Sequence, residues 1–161
     1  MNIKRTTYFI IILLLFSIFS CSDSKIKENE VIAKDFIEAC SAHDIDKAIS
    51  LFAENCLYEE VASGMKYTSR KEIAGYLNGT ISGIPDTEFE IVTIIANDTS
   101  AMVEWIWKGT NTVGWPSLGL PATNKYFELR GTSVMKIENR LIKRNFEYWD
   151  WNTFLKGIGV E

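Results

Sequence analysis

Apolar positions along this chain follow three different patterns. The first is a continuous run from Tyr8 to Phe16, extended by Ile18 and Phe19. It is shorter than the roughly 20 residues of a spanning helix. It also follows Lys4 and Arg5, so it has the form of a secretory signal core. The second pattern has helical period. Ile32, Phe36, Ile37, Ala39 and Cys40 form one stripe, which predicts a helix from Val31 to about Ala42. Ile45, Ala48, Ile49 and Phe52 predict a short second helix with Asp44 as its N-cap. Ser69 caps a third helix that turns Ile73, Ala74 and Leu77 inward, with Gly79 and Gly83-Ile84-Pro85-Asp86 ending it.

The third pattern is strand alternation. Leu57 to Val61 reads as a strand. Phe89, Ile91, Thr93 and Ile95 alternate with Glu88, Glu90, Val92 and Ile94, and Asn97-Asp98 makes a turn. Met102 to Thr110 puts Val103, Trp105 and Trp107 on one face. A loop over Gly114 to Asn124 precedes strands at Tyr126–Ile137 and Leu141–Trp149, joined by a turn at Glu138-Asn139-Arg140. A last helix takes Trp151 to Lys156. Three N-terminal helices followed by a four-strand antiparallel run predict an α+β fold, with the helices on one face of a curved antiparallel sheet. Such a sheet, closed by helices, encloses a cone-shaped pocket. The chain shows no internal repeat.

The apolar leader ends at Ile18-Phe19-Ser20-Cys21, which resembles the lipobox of bacterial lipoproteins, and the chain then turns polar through Glu30. The expected organisation is a signal peptide over 1–20, a lipidated tether over 21–29 with an acylated Cys21, and a pocket domain over 30–161. Several acyl chains at about 0.8 kcal/mol per buried CH₂ hold such a domain on a membrane. The expected place is therefore the cell envelope, on the periplasmic or outer face. Cleavage leaves 141 residues, enough for one domain. It also leaves 15 basic against 21 acidic side chains, a net charge of −6. No basic block occurs, which excludes a nucleic-acid partner. Cys40 and Cys56 are expected to be buried and unpaired, although an exported compartment permits a disulfide. His43 is the sole histidine, so no metal site is expected.

Four segments then carry a family resemblance. Phe52-Ala53-Glu54-Asn55-Cys56-Leu57-Tyr58-Glu59-Glu60 resembles the helix-to-strand signature of the nuclear-transport-factor-like superfamily. Trp107-Lys108-Gly109-Thr110-Asn111-Thr112 resembles its GTHTG-like segment, with Asn111 where His often stands. Gly119-Leu120-Pro121-Ala122-Thr123-Asn124-Lys125 resembles its G-x-P-x-T-G-K loop. The stretch from Arg140-Leu141-Ile142-Lys143 to Leu155-Lys156-Gly157-Ile158-Gly159 resembles its G-K-I-x-E-x-W-D ending. The order is similar to the SnoaL-like polyketide and ester cyclase branch, over about Glu30 to Gly159. The resemblance implies a cone-shaped pocket, no cofactor and a homodimer paired through sheet faces. It places the cyclase acid/base carboxylate at Phe146-Glu147 and the general base of related steroid isomerases at Glu60. The isomerase oxyanion donors fall on Phe36 and near Ser133, so that route does not carry over.

Strand period puts Tyr58 and Glu60 on one face, where both can share a pocket with Glu147. Burial raises a carboxyl pKa and suits it to move a proton next to a carbonyl. Glu147 and Glu60 are thus the expected catalytic pair. Tyr58, Trp105, Trp107, Phe146, Trp149 and Asp150 are the expected substrate-binding residues. The competing placement puts both glutamates in solvent, with Glu147 paired to Arg144 or Lys143, and has Asp150 capping the last helix. The expected ligand is a small hydrophobic carbonyl compound, either bound or subjected to isomerase- or cyclase-type chemistry. The alternative is a non-enzymatic ligand-binding or partner-binding lipoprotein. Soluble polyketide relatives work beside their synthases, so an envelope anchor favours a binding or scavenging role.

Overall fold

The computed structural model of the chain describes residues 23–160. The expected signal segment and Cys21 lie outside the described residues. Helix α1 spans 23–41 and begins well before the apolar stripe at Val31. Its polar early turns are docked: Asn29 is buried and its amide donates to the Asn97 carbonyl at 2.8 Å. Helix α2 (Ile45–Ser50) starts at Asp44, whose carboxylate accepts from the Lys47 N–H at 3.0 Å. Phe52 leaves this helix and opens strand β1 (Phe52–Glu60), where its ring is buried. A short strand β2 (Met65–Tyr67) returns along β1, and the sequence pattern does not reveal it.

Helix α3 (Arg70–Gly83) is capped by Ser69 and runs straight through Gly79. Its start is tied to β1, because the Arg70 guanidinium donates to the Phe52 carbonyl and to Glu54. Strands β3 (Glu88–Ala96), β4 (Ser100–Thr110), β5 (Tyr126–Glu138) and β6 (Leu141–Trp149) form the antiparallel run, and helix α4 (Trp151–Ile158) ends the described chain.

The strands make one curved, unclosed sheet in the order β2-β1-β6-β5-β4-β3. Strand β1 is parallel to β6, and every other pair is antiparallel. The sheet therefore has six strands, two more than the expected antiparallel run. Register shifts interrupt β1, β3 and β6, and such bulges bend and twist a strand. The shift between Ile91 and Thr93 also breaks the expected alternation of β3. Phe89 and Ile91 face inward, then Ile94 and Ala96 do, while Thr93 and Ile95 are exposed. The concave face packs on α1 to α3 through a continuous core that includes Phe36, Ile73 and Ile142.

Candidate functional site

The sheet register builds the site. Glu60 is the last residue of β1 and lies directly beside Glu147 of β6. Neighbouring strands are about 4.8 Å apart. Both side chains point to the concave face, 1% and 7% exposed respectively, so neither takes the solvent placement. No ion pair to Arg144 or Lys143 forms at Glu147 among the described residues.

The two carboxyls have different surroundings. Glu60 Oε2 accepts from the Ser63 hydroxyl at 2.6 Å, in the turn after β1, while Oε1 is buried without a partner. Burial pushes the Glu60 carboxyl up to about 7; the Ser63 hydroxyl and, more weakly, the neighbouring Trp149 indole oppose this, and the Glu147 charge adds to it. Glu147 Oε1 accepts from the Ser133 hydroxyl at 3.1 Å, and Ser133 in turn accepts from the Trp105 indole at 2.9 Å. Burial raises the Glu147 carboxyl, against the pull of the Tyr58, Ser133 and Asn145 side chains.

Glu60 lines a cavity of about 380 Å³. Its walls are mostly rings: Trp107 of β4, Trp149 of β6, Trp151 of α4, Tyr67 of β2, Tyr76 of α3 and Trp115 of the β4–β5 loop. Gly75 and Gly79 face it from successive turns of α3, and a Cβ added at either meets nothing within 4 Å. Glu147 lines a smaller space of about 30 Å³ with Tyr58 and Cys40. Tyr76 and Thr80 border both spaces, so the Tyr76 ring is part of the partition. That ring stacks on Tyr67 with centroids 4.8 Å apart. Burial also drives the Tyr58, Tyr76 and Cys40 groups well above their ordinary values.

The β4–β5 loop is strapped down over this cavity. The Trp115 indole donates to the Gly79 carbonyl at 2.9 Å, and Gly83 lies against the same ring, where a Cβ would collide. Asn111 anchors the loop base, donating to the Pro121 carbonyl at 2.9 Å and to the Thr123 hydroxyl at 3.0 Å. The Asn111 amide thus has a structural task.

Among the expected binding residues, Trp107 and Trp149 do line the large cavity. Tyr58 faces the smaller space, and Trp105 is sealed in the core beneath Gly131. Phe146 is on the other face of β6, next to Val134 and away from Glu147, because successive strand residues alternate. Asp150 is exposed and accepts from the Thr153 N–H, which makes it the N-cap of α4. Sequence reasoning missed Trp115, Trp151, Tyr67 and Tyr76. Each comes from a different element, and only Tyr76 carried a signal, next to Leu77 on the inward side of α3. Cys40 and Cys56 are buried and unpaired. No cluster of three possible metal ligands occurs among the described residues.

The profile described as a SnoaL-like domain matches residues 33–145. No curated protein matches the sequence. Solved structures share the fold at low identity. A candidate SnoaL-like polyketide cyclase from Jannaschia sp. CCS1 is 11% identical with a TM-score of 0.76, covering 84% of this chain and 94% of its own. A candidate polyketide cyclase from Xanthomonas campestris is 16% identical with a TM-score of 0.72, covering 84% and 99%. A hypothetical protein of ketosteroid isomerase-like fold from Catenulispora acidiphila, solved in complex with trimethylamine, is 17% identical with a TM-score of 0.70, covering 80% and 92%.

Proposed function

This chain belongs to the SnoaL-like domain family, and on that premise we propose an envelope lipoprotein whose cavity binds a small, largely apolar compound, with Glu60 as the group that exchanges a proton with it. The observation that carries the reading is Glu60 itself. It is a buried carboxyl with one unpartnered oxygen, set in the wall of an aromatic cavity and titrating near neutrality. A carboxyl poised near the working pH both takes and returns a proton readily. On a carbonyl compound, ionised Glu60 would remove an adjacent proton and hand it back, as isomerase- or cyclase-type chemistry requires. Glu147 would act from behind, its charge keeping Glu60 protonated to higher pH.

A second reading, binding without turnover, has its own support. The cavity lining carries no Lys, Arg or His side chain to stabilise an enolate oxygen. Native mass spectrometry of the full-length protein extracted from membranes separates a liganded cavity from an idle one. A retained small molecule that is lost on Gly75→Leu, which fills the cavity, supports the proposal. Wild type and variant both free of any retained mass would contradict it. Proton exchange from a ketone probe in deuterated water, abolished by Glu60→Gln, then distinguishes turnover from binding.

Cys21 is the proposed site of acylation. Cys21→Ser is expected to abolish labelling by palmitate and release the domain from membranes. Unchanged labelling would remove Cys21 from this role.

A further inference from the structure

The lining of the large cavity has a consistent electrical character. Six rings face it, those of Trp107, Trp115, Trp149, Trp151, Tyr67 and Tyr76, and the faces of such rings carry partial negative charge. Its ionisable acids are Glu60 and Glu72, and it has no basic side chain to balance them. Glu72 is held ionised by the Thr68 N–H and hydroxyl, which it accepts at 2.6 and 3.1 Å. Glu60 Oε1 is buried and lacks a donor. A buried acceptor without a partner is rare in folded proteins, and here it borders a space large enough for a ligand.

We infer that the compound this cavity takes is an organic cation, a protonated amine on an apolar body, whose N–H donates to Glu60 Oε1 while its alkyl groups pack on the tryptophan rings. This rests on the reading that the large cavity is the ligand site. Rings plus a carboxylate are the chemistry that recognises alkylammonium groups, since the cation is attracted to both and its carbon atoms fill apolar space. A neutral ketone would gain nothing from this charge, since it needs only a donor, which the hydroxyls and indole N–H groups of the wall supply without an anion.

The two ligand classes therefore differ in the sign of their pH dependence. An ammonium ion needs ionised Glu60, so its affinity rises as pH climbs through about 7. A ketone can accept a hydrogen bond from Glu60 only while Glu60 is protonated, so whatever affinity it draws from Glu60 falls over the same interval. The titratable groups facing Glu60 are Glu147 from β6, Tyr67 from β2, and Tyr76 with Glu72 from α3. Both tyrosines are pushed upward, and Glu72 is pushed below its ordinary value, so these three hold their charge states near neutrality. Glu147 is raised in the same direction as Glu60, but its fully paired Oε1 lies in the smaller space.

The test uses the full-length protein in detergent and two probes of equal heavy-atom count, N,N-dimethylcyclohexylamine and acetylcyclohexane, titrated by calorimetry. The amine should bind roughly 30-fold more tightly at about pH 8 than at about pH 5.5, the ratio of ionised Glu60 at the two values. Glu60→Gln should remove that pH dependence and weaken the amine at pH 8. Gly75→Leu, whose Cβ meets nothing within 4 Å and whose remaining atoms extend into the cavity, should abolish binding. Ketone binding with no amine binding would overturn the cation inference and leave the cavity reading intact. Failure of both probes would overturn both. Amine binding that is indifferent to pH and to both variants would place the cation elsewhere and overturn the inference alone.

Discussion

Glu60 keeps its proton to about pH 7 because burial disfavours the charged form and no cation sits beside it. The folded chain therefore holds a proton that the unfolded chain, with an ordinary value of 4.5, has already lost. Stability from this group is fully present below about pH 4.5 and is lost as pH rises through 7, a change on the order of 3 kcal/mol. Thermal unfolding should show that decline, and Glu60→Gln should flatten it while leaving the part due to Glu147. A variant with the wild-type slope would show that Glu60 is not the group responsible. Gly131 gives a second residue-level expectation. It faces Trp105 across the β4–β5 ladder, where a Cβ would overlap the ring. Gly131→Ala should cost about 1–3 kcal/mol in denaturant unfolding. Strand alternation was enough to unite Tyr58, Glu60 and Glu147 on one face. The same rule separates Phe146 from Glu147, although the two are neighbours in sequence. Period alone does not tell Trp105 from Trp107, which share a face of β4. What divides them is depth along the strand, with one under Gly131 and the other at the cavity.

Helix α3 shows how an element can look weak in sequence and still serve a purpose. Gly75 and Gly79 lower its helix propensity, and Gly79 resembles a terminator when read without its surroundings. In the fold both lie one turn apart at the cavity wall, where a side chain would occupy ligand space. Gly75→Leu should therefore stabilise the helix by about 0.8 kcal/mol while emptying the site of ligand. A rise in the unfolding midpoint together with loss of binding is the expected pair of results. Loss of stability would show that Gly75 is needed for packing instead. The loop from Asn111 to Lys125 is the other element whose role depends on contacts distant in sequence. Its Trp115 reaches Gly79, and nothing in the loop's own pattern points there. The parallel pairing of β1 with β6 was hidden for the same reason, since hydrophobic pattern fixes which residues face inward but not which strands become neighbours. The bulge at Val92 likewise leaves no trace in an alternating run of apolar residues.

At the scale of the whole molecule, the convex face of the sheet carries Met102, Ile106, Val134, Phe146 and the half-exposed Tyr148. These apolar residues, set among Glu104, Arg130 and Arg144 on the same face, suit pairing with a second copy, and the proposed assembly is a homodimer. Sedimentation of the domain lacking its leader should give a dimer that Phe146→Glu splits; a monomer at high concentration would remove the dimer from the account. The proposed anchor at Cys21 lies just ahead of α1, whose early turns pack on the turns at Asn97 and Arg140, whereas Trp149 and Trp107 of the cavity lie toward the opposite ends of β6 and β4, so the cavity would sit at the end of the domain away from the membrane. The net charge of the chain is −4, which fits a cationic ligand better than an anionic one. The fold class was open to sequence reasoning, because it rests on patterns local to the chain. The aromatic cavity was not, since its rings converge from separate elements.

The most direct test of the account is the titration of Glu60 itself, followed by carboxyl carbon NMR in protein labelled at glutamate and assigned by the signal missing in Glu60→Gln. The midpoint should lie near pH 7 in the free protein and move downward when an amine probe is added. A Glu60 midpoint in the ordinary carboxylate range, unmoved by ligand, would contradict it.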